Sequence, residues 1–62
     1  MTTADLLKYC QDRSISDEFG IVEEPDVVLI HRNRRDFVVV AWHGRYDNDD
    51  CLVRIKSVFF GS

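Results

Sequence analysis

The sequence predicts an α+β fold, an N-terminal helix followed by a three-stranded antiparallel β-meander in one 62-residue domain. Three observations carry that prediction. A helix-start signal stands at Thr2, Thr3 and Asp5. Two short runs, residues 26–31 and 37–42, are dominated by β-branched and aromatic residues. A third run, residues 51–60, alternates Val53 and Ile55 with Arg54 and Lys56.

The first element follows from a threonine N-cap with an acid in the first turn, which places a helix over residues 4–13. Its apolar stripe is thin: Leu6, Leu7 and Cys10, with Tyr9 at the margin. Ser14 suits the cap of a further short turn, with Ile15 and Phe19 four apart and Gly20 as the stop. Ile21 and Val22 then enter the core in extended form before Glu23-Glu24-Pro25. Residues 26–31 and 37–42 are too short and too β-branched for buried helices. Arg32-Asn33-Arg34-Arg35-Asp36 joins them as a hairpin turn, and residues 44–50 form a polar loop before the third strand, 51–60.

A hairpin loop of two or four residues makes paired positions sum to 69, so that His31 faces Val38 and Leu29 faces Val40. Alternation then puts Val28, Ile30, Phe37, Val39 and Ala41 on one face and Val27, Leu29, Val38, Val40 and Trp42 on the other. Both faces are apolar, whereas a solvated antiparallel sheet is polar on one side. One thin helix covers only one of them. The other is covered either by residues 14–25 folding back or by another chain, and the second alternative makes Val27, Leu29, Val38, Val40 and Trp42 an interface with a protein partner or a second copy.

Composition is that of a globular chain, 45% apolar and 31% charged. No basic segment followed by an apolar run opens it and no stretch reaches membrane-spanning length, so the expected setting is cytoplasmic, with Cys10 and Cys51 as free core thiols. The net charge of −3 conceals a division. Residues 1–30 hold seven acids against two bases, a balance of −5; residues 31–62 hold six bases against four acids, a balance of +2.

Several patterns invite a chemical reading. Arg32, Arg34 and Arg35 at a hairpin tip, extended by Arg54 and Lys56 on a neighbouring strand, suit phosphate contacts, with Trp42 or Tyr46 for base stacking. The overall pI of about 5.1 is far from that of a dedicated nucleic-acid binder. His31 and His43 fall on opposite faces in the sum-69 register, which argues against an acid–base pair. Asp47-Asn48-Asp49-Asp50 lacks the glycine and the twelfth-position glutamate of a calcium loop. The two cysteines lack zinc-knuckle spacing, and neither sits beside an activating motif. No catalytic, metal or cofactor site is expected. The residues point to a small non-enzymatic interaction protein, an acidic regulator or inhibitor of a larger one. The alternative is a nucleic-acid-binding module using the basic hairpin tip.

Overall fold

A computed structural model describes residues 2–42, 45–46 and 48–61. The order is α1 (Thr3–Arg13), β1 (Phe19–Glu23), β2 (Val27–Arg32), β3 (Asp36–Trp42), β4 (Arg45–Tyr46) and α2 (Asn48–Phe60). The fold is α+β, with an N-terminal helix and an antiparallel meander in the order β1-β2-β3, extended along β3 by the two-residue β4.

Helix α1 forms where its cap requires it. Thr2 is the N-cap: its hydroxyl accepts from the Asp5 N–H at 3.2 Å, and the Asp5 carboxylate accepts from the Thr2 N–H at 2.8 Å. The middle of the chain and its end both differ from the sequence expectation. Residues 14–20 make no second helical turn; Ile15 is fully exposed, while Phe19 is buried and opens β1. Residues 19–23 therefore join the sheet instead of folding back over it.

The third strand of the meander is β1, and residues 51–60 belong to helix α2. β-Branched and aromatic side chains at Val53, Ile55, Val58, Phe59 and Phe60 favour a strand locally, but propensity yields to tertiary burial. Cys51, Ile55 and Phe59 recur every four residues and are all buried, the spacing of one helix face. Asp49 and Asp50 lie in the first turn, where acids suit the helix dipole, and Gly61 (φ 70°) supplies the left-handed residue that follows the last turn.

Both helices pack on one face of the sheet, α1 beside β1 and α2 beside β3. The core joins Leu6 and Cys10 of α1, Phe19, Ile30, Val38 and Val40 of the sheet, and Cys51, Ile55 and Phe59 of α2. Tyr9, Phe19, Phe59 and Phe60 form a ring cluster that ties both helices to β1, with centroid separations from 5.5 to 6.4 Å. Burial pushes the Cys10 thiol up to about 11, so it acts as a packing group.

Two measurements check this arrangement. Ile55→Ala should cost about 2–5 kcal/mol in urea unfolding, whereas Val53→Ala, at an exposed position, should stay within about 0.5 kcal/mol of the parent. A strand would put both side chains on one face and make them alike. Acid is the second. Asp5, held by the Thr2 N–H and hydroxyl, and Asp17, held by Ser14 and Asn33, have carboxyls below their ordinary 3.8. A lowered folded-state pKa gives stability that is present above the ordinary value and lost as pH falls through the folded one. Thermal midpoints should therefore fall below about pH 4, and Asp17→Asn should blunt that fall.

Candidate functional site

The β2–β3 turn sets the faces of the sheet. Asn33 (φ 56°) and Arg34 (φ 58°) both occupy the left-handed region, and the Arg35 N–H closes the turn on the Arg32 carbonyl at 3.1 Å. Among residues with a Cβ, asparagine is one of those that tolerate this region best, and Asn33 is also clamped. Its side-chain oxygen accepts from the Glu18 N–H at 2.8 Å, its amide donates to Asp17 at 2.9 Å, and its own N–H donates to the Glu18 carbonyl at 2.6 Å. Arg32 pairs with Asp36, leaving three residues in the loop. An odd loop moves the pairing by one from the sum-69 register, so His31 faces Phe37, Ile30 faces Val38 and Leu29 faces Val39.

A β-bulge between Val28 and Leu29 restores sum 69 further along, where Val28 faces Ala41 and Val27 faces Trp42. The extra residue is Val40 on β3. Val38 and Val40, predicted as interface residues, thus lie 3% and 1% exposed in the core, while Phe37 and Val39 move to the other face. Val27, Leu29 and Trp42 stay together there. The open face consists of Val27, Leu29, Phe37, Val39 and Trp42, with Val22 and His31 alongside on β1 and β2. Phe37 is 48% exposed and Trp42 61%.

His31 closes one corner of this face. Its ring lies over Gly20, where an added Cβ would stand 2.5 Å from Nε2, and Nδ1 accepts from the Arg34 N–H at 3.2 Å. Phe37 adds a ring contact at 5.9 Å. His31 is therefore a packing residue of the sheet surface. His43, Asp47 and the side chain of Tyr46 lie outside the described residues. Asn48, Asp49 and Asp50 open helix α2, and among the described residues no cluster of metal-binding side chains occurs.

The five basic candidates are not brought together. Arg32 forms an ion pair with Asp36 at 2.6 Å, donates to the Phe59 carbonyl and lies 5.7 Å from the Phe59 ring centroid. It ties the hairpin to the end of α2. Arg34 and Arg35 are exposed in the turn. Arg54 and Lys56 are on α2, not on a strand next to the turn. Arg54 donates to Cys51 Sγ at 3.1 Å beside the bulge, and Cys51 in turn donates to the Val40 carbonyl at 3.1 Å. A cleft of about 250 Å³ opens there between the end of β3 and α2, lined by Trp42, Asp50, Cys51 and Arg54 among others.

Gly20→Ala should destabilise the protein by about 1–3 kcal/mol, because the His31 ring must leave both Gly20 and its bond to Arg34. In a His31→Ala background the same change should cost much less. A double-mutant cycle by urea unfolding reads that coupling; equal costs in both backgrounds would refute the contact.

No family model, curated protein or solved structure matches this chain.

Proposed function

We propose that this chain is a small non-enzymatic protein-interaction module that binds through the open sheet face of Val27, Leu29, Phe37, Val39 and Trp42. One observation carries the reading: both helices lie on the opposite face, and this one remains apolar with two large aromatic side chains about half exposed or more. Antiparallel sheets that face water carry polar residues on that side. A contiguous apolar patch on a small domain marks a contact surface. Trp42 and Phe37 are the anchors, since large aromatics dominate interface energetics.

The acidic surface of the first thirty residues suits a regulator or inhibitor of a larger protein, and two buried, unbridged thiols suit a reducing, cytoplasmic setting. A phosphate-gripping surface draws less support. Arg32 is committed to Asp36 and Phe59, and Arg54 lies at the bulge, away from the turn.

The test is recovery of a partner by tagged protein from native lysate, with and without nuclease, for the parent and for the double variant Phe37→Ser, Trp42→Ser. Circular dichroism must first establish that the variant folds. A partner indifferent to nuclease and recovered at least ~10-fold less by the variant supports the reading. Equal recovery overturns it. A partner lost on nuclease treatment and on Arg34→Ser, Arg35→Ser would transfer the function to the basic turn.

A further inference from the structure

Strand β1 is an outer strand of the sheet, and its free side is an open edge. Antiparallel partners exchange main-chain bonds at alternate residues, and the residues between them turn their groups the other way. The Asn33 N–H donates to the Glu18 carbonyl at 2.6 Å, and the Glu24 N–H to the Val27 carbonyl at 2.8 Å. One unbroken register joins β1 to β2 between these two bonds. Gly20 and Val22 therefore bond to β2, while Phe19, Ile21 and Glu23 direct their N–H and C=O groups outward. Those groups have no partner among the described residues. Helix α1 packs beside β1 without closing this edge. Ile21 shares the helix side of the sheet with the buried Phe19, yet is 37% exposed. The strand contains no lysine, proline or bulge, the usual guards of an edge.

Charge along the edge is uneven. At the Phe19 end, Asp17 and Glu18 are offset by Arg34 and Arg35 of the neighbouring turn, and Arg32 is offset by Asp36. On α1, Asp5 offsets Lys8 and Asp12 offsets Arg13. At the other end Glu23, Glu24 and Asp26 are all exposed, and residues 14–30 contain no lysine or arginine. Among the described residues no ion pair reaches these acids.

We propose that this edge binds an extended, basic segment of another protein, which adds to β1 as a fifth strand of the sheet. The site is separate from the open sheet face, and the proposal does not depend on the reading of that face. The incoming strand runs antiparallel, as every pair in the sheet does, so its N-terminal part lies beside Glu23. Lysines or arginines there meet Glu23, Glu24 and Asp26. The alternating residues that follow lie against Ile21 on the helix side and Val22 on the other. Main-chain bonds supply the attraction, and charge selects the segment and its direction. A second copy of this chain lacks that complementarity. Antiparallel pairing of β1 with its own copy about Ile21 sets Glu24 of each directly opposite Glu18 of the other, with no base on either strand.

The probe is a synthetic peptide of three lysines followed by alternating valine and threonine, added to the isotope-labelled chain while amide exchange is read residue by residue. In the free chain the amides of Phe19, Ile21 and Glu23 should exchange fast beside slow Gly20 and Val22. With the peptide bound, those three should slow at least ~10-fold. A peptide with glutamates for the lysines, and one with the lysines at its C-terminal end, should each bind at least ~10-fold more weakly. The original peptide should lose as much affinity for Glu23→Lys, Glu24→Lys. Ile21→Pro removes an outward N–H and no bond to β2, and should lose the peptide; the glutamate variant keeps the test open if the proline variant does not fold. Slow exchange of Ile21 in the free chain overturns the proposal. If that protection is independent of concentration the chain covers its own edge, and if it grows with concentration a second copy does. Absence of peptide binding, binding indifferent to the lysines, or binding that protects none of the three amides overturns it as well.

Discussion

One extra residue on β3 governs the rest of the structure. The bulge at Val40 shifts pairing between Leu29 and Val28, so Val40 and Ala41 are both buried and Trp42 is left exposed at the end of β3, beside the cleft that α2 also lines. Without it, alternation would carry Trp42 to the helix side and Ala41 to the open face. The bulge also serves the packing of α2, because the Val40 carbonyl accepts from the Cys51 thiol. A single local irregularity thus assigns the largest aromatic to the surface and anchors the start of the second helix.

At the opposite end of the sheet the hairpin tip is held from two sides. Asn33 is bonded to Asp17 and Glu18, and Arg32 reaches the Phe59 carbonyl. The Arg32–Asp36 pair is partly exposed and by itself contributes at most about 1 kcal/mol. Its importance is geometric: Arg32 joins the turn to the last turn of α2, where orphan carbonyls need donors. An arginine cluster that reads as a phosphate grip in sequence therefore divides, with one member structural and two left at the surface.

The core is small, as it must be in a chain of this length. Nine buried side chains draw on both helices and all three long strands, and they occupy one side of the sheet. No helix remains for the second side among the described residues. The apolar character of the open face thus follows from two facts together: strands β2 and β3 are hydrophobic at nearly every position, and both helices are committed elsewhere. It is this pairing that makes the surface a candidate contact site.

The sequence by itself determined the fold class, helix α1 with its threonine cap, the two strands at the centre of the sheet and the presence of apolar side chains on both sheet faces. Each is a local property, written in a capping pair or in a continuous β-branched run. It also contained an unused signal for α2, the four-residue spacing of Cys51, Ile55 and Phe59, which β-propensity masks. Tertiary structure alone decided the rest. Whether Val38 and Val40 or Phe37 and Val39 accompany Val27, Leu29 and Trp42 depends on loop parity and on the bulge, each a matter of one residue. Residues 51–60 are helical because that conformation buries three side chains against the sheet, and residues 19–23 are a strand because β2 offers them an edge.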